Sequence, residues 1–116
     1  MVNVFIKTFG CTANVHDSEV MAGLLQKAGH KIVDSLQNAN IVVINLCTVK
    51  GEQKALSELN LFLDTKKKIV VAGCIPEDFV FKINALLPHA AIVGTHNIKE
   101  IVSVVKELNA GKNKLA

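Results

Sequence analysis

Apolar residues fall along this chain in five short runs separated by amphipathic stretches, and that pattern predicts alternating strands and helices. Val2–Phe9 is apolar and β-rich and predicts the first strand. A helix is expected from about Asp17. Asp17 and Ser18 suit its start, and Val20, Met21, Leu24, Leu25 and Ala28 recur at helical spacing. Gly29 then stands where a left-handed C-terminal cap is wanted. Lys31–Asp34 reads as a short second strand, and Ile41–Leu46 as a third, continuously apolar one. A second helix is predicted over Gly51–Leu63, with Ala55, Leu56, Leu59, Phe62 and Leu63 on one face. Ile69–Ala72 is the fourth strand. Pro76 opens a third helix, whose inner face is Phe79, Ile83, Leu86 and Leu87, and Pro88 closes it. Ala91–Val93 is a fifth strand. A last helix from about Asn97 carries Ile98, Ile101, Val102, Val105 and Leu108.

Continuously apolar strands alternating with helices mean a parallel sheet covered on both faces. Few topologies remain once crossovers are right-handed. The expected fold is a single α/β domain over residues 1–108, a flavodoxin-like, Rossmann-like doubly wound sheet of about five strands in the order 2-1-3-4-5. Residues 109–116, N-A-G-K-N-K-L-A, read as a polar tail or linker stub.

Each of the three cysteines ends one of these runs. Cys11 follows Gly10 in K-T-F-G-C-T-A-N, Cys47 closes I-V-V-I-N-L-C, and Cys74 follows Gly73 in I-V-V-A-G-C. With the expected order, the first, third and fourth strands are neighbours, and all end on the sheet edge where such folds bind ligands. Parallel strands lie ~4.8 Å apart, so three thiols there can converge on one small ligand. Gly10 and Gly73 remove bulk beside two of them and permit unusual backbone angles.

Composition narrows the chemistry. The 116 residues carry a net charge of +3, much of it from Lys66, Lys67, Lys68 and the last lysines. A lysine run before a strand is ordinarily a solvated helix end. No basic stripe interleaved with aromatics marks a single-strand binder. No run approaches the ~20 apolar residues of a membrane span, and M-V-N-V-F-I-K lacks the features of a signal peptide. Three well-separated cysteines suit reduced thiols in the cytoplasm better than a disulfide framework. No G-x-G-x-x-G or G-x-x-x-x-G-K-[ST] phosphate loop occurs.

Three convergent thiolates suit zinc or an iron–sulfur cluster. Zinc would need a fourth ligand, for which His16 or His96 are candidates in a Cys₃His set, although no C-x-x-C is present. A cluster on three cysteines leaves one iron open to an exogenous ligand. The plain alternative is three small apolar side chains packed at strand ends. His30 and His89 lie near turns and are expected to be exposed. Asp17 and Glu19 read as charges favoured by a helix start rather than an acid–base pair. Cys11 with His16 is a conceivable nucleophile pair without an identifiable orienting group.

Taken together, G-C-T-A-N, D-S-E-V-M-A-G-L-L, A-N-I-V-V-I-N-L-C-T-V-K and K-K-I-V-V-A-G-C-I-P resemble the N-terminal domain of radical-SAM methylthiotransferases, from about Val4 to Leu108. D-S-E-V-M-A-G and C-T-V-K look most like the archaeal and eukaryotic branch, which acts on N6-threonylcarbamoyladenosine at position 37 of tRNA, next to the anticodon. Thr12, Ala13 and Leu46 depart from the bacterial tRNA pattern. The resemblance implies that Cys11, Cys47 and Cys74 ligate an auxiliary [4Fe–4S] cluster whose open iron holds the sulfur or methylthio donor. Asn14, Asn45 and Thr48 would line that site, or equally satisfy backbone groups at the strand ends. The family's C-x-x-x-C-x-x-C motif, which binds a second [4Fe–4S] cluster and S-adenosylmethionine, does not occur here. No catalytic residue is therefore expected in this stretch. Activity would depend on a radical-SAM domain and a C-terminal RNA-binding domain as partners, and an apolar patch should face the former. A free-standing zinc-binding scaffold and a ribosomal-protein methylthiotransferase domain are the competing readings.

Overall fold

The structure is a computed structural model that describes residues 1–49 and 51–111. Of the polar tail expected over 109–116, residues 112–116 lie outside the described residues. Five parallel strands form one sheet: β1 (Asn3–Thr8), β2 (Lys31–Val33), β3 (Ile41–Cys47), β4 (Lys68–Cys74) and β5 (Ala91–Gly94). Their order is β2-β1-β3-β4-β5, as the apolar pattern predicts. The topology reverses between β1 and β3. Ligands of doubly wound sheets sit beyond the carboxyl ends at that reversal.

Helix α1 (Thr12–Lys27) and α4 (Ile101–Asn109) cover one face, and α2 (Glu52–Asn60) and α3 (Glu77–Leu86) cover the other. A short 3₁₀ segment over Thr95–Glu100 leads into α4. Helices on both sides explain why the central strands are apolar at every position. Ile41 through Leu46 are all buried, and so are Ile69 through Gly73. Beneath α1 and α4 the core is built on Val4, Met21, Leu25, Val43 and Ile101. Beneath α2 and α3 it is built on Ile44, Leu46, Leu59, Phe79 and Ile83. Burying such side chains contributes roughly 1.5–3 kcal/mol each, against the entropy of ordering the chain.

Several boundaries differ from the sequence expectation. Helix α1 starts at Thr12 rather than Asp17, because the turn at Gly10 lets Cys11 cap it. Asp17 and Glu19 are therefore not helix-start charges. Asp17 lies in the second turn and accepts a hydrogen bond from Thr95 Oγ1 at 2.9 Å, and Glu19 is solvent-exposed. Helix α2 ends at Asn60, which leaves Leu63 exposed while Phe62 stays buried. In α4 Val104 is buried and Val102 only partly so. His30 is half-buried rather than exposed, and its Nδ1 accepts the Val2 N–H at 3.2 Å. Burial first, and the charge of the chain's amino terminus second, lower its pKa. His89 is exposed as expected. No helix among the described residues is long and apolar enough to cross a membrane.

Gly23 lies on the exposed side of α1, and a Cβ there would meet nothing within 4 Å. The Gly23→Ala substitution is expected to stabilise the fold by roughly 0.5–1 kcal/mol in urea denaturation, because it removes unfolded-state entropy. An unchanged or lowered midpoint would contradict this reading of α1.

Candidate cluster site at the carboxyl edge of the sheet

The three cysteines meet at one edge. Cys47 and Cys74 end β3 and β4 and are register partners, directly side by side. Cys11 follows β1, the neighbour of β3 on its other side, and stands at the amino-terminal cap of α1. Cys11 and Cys47 line one small cavity at that edge. All three are free thiols: Cys11 and Cys74 are exposed and Cys47 is half-buried.

Two glycines make this closeness possible. Gly10 has φ +107°, and a Cβ there would lie 2.7 Å from Cys47 Cβ and 2.6 Å from Asn14 Oδ1. Gly73 has φ +116°, and its Cβ would lie 2.1 Å from the Leu46 carbonyl oxygen. Both conformations are strained for any side chain, and both approaches are too tight for one.

Below the thiols lies a buried polar lattice. Asn14 Nδ2 donates to Asn45 Oδ1 at 2.9 Å and to the Leu46 carbonyl at 2.8 Å. Asn45 Nδ2 donates to the Asn14 carbonyl and to Ser18 Oγ, both at 2.8 Å. Ser18 Oγ lies 2.7 Å from Thr8 Oγ1. These bonds leave Asn14 Oδ1 facing Cys11, where it accepts from the Cys11 N–H at 3.4 Å and from its Sγ at 3.6 Å. Among the described residues no buried side-chain polar atom lacks a partner. A lattice satisfied at every member stiffens what rests on it. Thr48 Oγ1 donates to the Cys74 carbonyl at 3.1 Å and joins the ends of β3 and β4.

The electrostatics favour thiolate at Cys11. The Ala13 amide first, then the Asn14 amide, donate to its sulfur and lower its pKa, outweighing the opposing effect of burial. Its own amide and the Cys47 side chain act in the same direction. A thiol at a helix amino terminus ionises readily because the orphan N–H groups point at it.

His16, on α1, and His96, after β5, are exposed. The partners of Cys11 Sγ are Asn14 Oδ1 and backbone amides at the start of α1, and His16 is not among them. Among the described residues no three His, Cys, Asp or Glu side chains are gathered tightly enough to grip a single metal ion. A polynuclear cluster is wider than one ion and takes its thiolates further apart. Three neighbouring strand-end thiols, with glycines that let the backbone of two of the strand ends pack closely, fit such a group.

A cavity of about 170 Å³ opens beside Cys11 and Cys47, lined further by Gly10, Val49, Lys54 and Glu58. A larger cleft of about 430 Å³ lies at the opposite end of the sheet, among Lys66, Lys67, Lys68, Leu87, Pro88 and His89, remote from the thiols. Ser18, Thr8, Lys54 and Glu58 are site residues that the sequence reading did not single out. For Ser18, its i+4 spacing from Asn14 was the available signal once α1 starts at Thr12.

A doubly wound parallel sheet with three thiols at its reversal edge, and without a phosphate loop, defines a thiol-bearing flavodoxin-like domain. The family described as "Uncharacterized protein family UPF0004" matches residues 3–94, and the chain belongs to it. It is 37% identical over 118 residues to a "Probable threonylcarbamoyladenosine tRNA methylthiotransferase" of Pyrococcus horikoshii, covering 100% of this chain and 27% of that protein. It is 40% identical over 116 residues to a "tRNA-2-methylthio-N(6)-dimethylallyladenosine synthase" of Thermotoga petrophila, covering 93% of this chain and 26% of the relative. A further "Probable threonylcarbamoyladenosine tRNA methylthiotransferase", of Methanothermobacter thermautotrophicus, is 34% identical over 114 residues, 95% of this chain and 27% of the relative. The chain thus spans about a quarter of the length of the curated relatives it matches. These names bear out the resemblance to methylthiotransferases carried by the cysteine motifs.

Two outcomes test this geometry. Gly73→Ala forces a Cβ onto the Leu46 carbonyl and is expected to cost roughly 3 kcal/mol or more in denaturant unfolding. In the metal-free, reduced chain, alkylation of Cys11 followed by peptide mass mapping should show a pH midpoint below the ordinary thiol range. A midpoint within that range would contradict amide stabilisation of its sulfur.

Proposed function

We propose that this chain is the auxiliary [4Fe–4S]-binding domain of a tRNA methylthiotransferase that converts N6-threonylcarbamoyladenosine at position 37 to its 2-methylthio derivative. The observation that carries the reading is the gathering of Cys11, Cys47 and Cys74 at one sheet edge, with Cys47 and Cys74 in register and Cys11 lining the same cavity as Cys47. Those three side chains would hold the cluster. When bound, it supplies an iron without a protein thiolate, able to hold a sulfur or methylthio donor for transfer.

The chain's own residues prepare that site. The amides of Ala13 and Asn14 hold Cys11 toward its thiolate, the form a metal takes. Asn14, Asn45 and Ser18 fix the start of α1 against β3, which sets where Cys11 stands relative to Cys47. Thr48 fixes the strand end that carries Cys74. Val49, 82% exposed beside the thiols, and Val15, 48% exposed one turn into α1, offer apolar surface to a covering domain. That partner would be the radical-SAM domain, which brings S-adenosylmethionine and a second cluster. This domain alone would be inactive toward tRNA. The threonylcarbamoyl branch is favoured by D-S-E-V-M-A-G and C-T-V-K and by the Pyrococcus relative that spans the whole chain.

Anaerobic reconstitution with iron and sulfide, followed by metal analysis and electronic spectroscopy, tests the assignment. About four irons and four sulfides per chain are expected. Each of Cys11→Ala, Cys47→Ala and Cys74→Ala should lose most of that content, because a three-ligand cluster has no spare thiolate. Three variants loaded to the wild-type level, or zinc retained in place of iron, would overturn it.

A further inference from the structure

The cavity beside Cys11 and Cys47 has an electrostatic character that the cysteines alone do not explain. Its lining includes a cation, Lys54, and a carboxylate, Glu58. Lys54 occupies the first turn of α2, which begins at Glu52 after the Gly51 cap. A cation is disfavoured there, because the amino end of a helix already carries partial positive charge. The opposite charge nearest to it along α2 on this cavity is Glu58, one turn on, while Glu52 at the helix end is paired with Lys82. The amino terminus of α1, capped by Cys11, opens on the same cavity. The amino end of α1 and the first-turn ammonium of α2 thus border a space of about 170 Å³, beside side chains that become anionic on binding metal. A local choice that opposes helix stability and directs charge at a site is the kind expected where function demands it.

We infer that Lys54 is a charge-compensating residue for the iron–sulfur cluster and sets its reduction potential, with Glu58 opposing it from the next turn of α2. The inference rests on the cluster reading above. The cluster gains negative charge on reduction, so a neighbouring cation stabilises the reduced form more than the oxidised one. Removing the Lys54 charge must therefore lower the potential, and removing the Glu58 charge must raise it. One electron is exchanged, so a tenfold change in the ratio of oxidised to reduced cluster at fixed potential is a 59 mV shift.

The test is a redox titration of the anaerobically reconstituted chain, followed by its electronic spectrum, for the wild type and four variants. Lys54→Met should shift the ratio several-fold toward the oxidised cluster and Glu58→Gln toward the reduced one. Lys54→Arg, which keeps the charge, should titrate with the wild type. So should Lys31→Met, which removes an exposed cation at the start of β2, on the opposite edge of the sheet. If Lys54→Met does not retain a cluster, the opposite shift in Glu58→Gln still decides the matter. Wild-type potentials in both loaded variants, or an equal shift in Lys31→Met, would overturn the inference while leaving the cluster reading intact. A wild-type chain that takes up no iron would overturn both.

Discussion

The reciprocal hydrogen bonding of two buried asparagines is the constraint on which this domain's working edge depends. Asn14 belongs to the first turn of α1 and Asn45 to the centre of the sheet, 31 residues on. Each donates to the other, and their spare valences reach the Leu46 carbonyl and Ser18. A buried amide group without partners costs about 1–3 kcal/mol, so neither residue can move independently of the other. The beginning of α1 is thereby clamped to β3, and Cys11 is held beside Cys47. Without that clamp, the residue after Gly10 would belong to a loose loop and the thiol would have no defined place.

The same clamp organises the electrostatics. An α1 that starts at Thr12, immediately after its cysteine cap, aims its unpaired amides at Cys11. Had it started at Asp17, as the polar pattern alone suggests, those amides would point elsewhere and Cys11 would sit in an irregular loop. The glycines act in concert with this arrangement. Gly10 admits Asn14 and Cys47 to within contact of its backbone, and Gly73 admits Asn45 and the Leu46 carbonyl. Helix capping, backbone conformation and the buried lattice are therefore one device rather than three. They bring three soft donors to an edge that in other doubly wound folds receives a phosphate.

The two ends of the sheet illustrate how volume and chemistry separate. Two more spacious clefts lie away from the thiols, one among lysines and aliphatic side chains at the amino ends of β4 and β5 and one beside β2. The smaller cavity at the carboxyl edge is lined by Cys11, Cys47, the exposed Val49 and two charged residues of α2, Lys54 and Glu58. Chemistry follows the reversal of strand order and the aligned helix amino ends, not the size of the hollow.

Much of this was legible along the chain. Apolar runs placed all five strands and their order, because a strand buried on both faces must be apolar at every position. The three cysteines were recognisable as neighbours, since parallel strands that share a direction must end on one edge. What stayed hidden depended on contacts between distant residues. Asp17 and Ser18 resemble caps in isolation, yet Thr95 and Asn45 claim them inside α1. Lys54 looks like any solvated helix lysine until α2 is placed beside Cys11. Local periodicity records which face of an element is buried, and that much the sequence determined by itself. Which polar atoms meet across 30 or more residues is decided only when the layers pack, because hydrogen bonds and charges act over a few ångströms and leave no periodic trace.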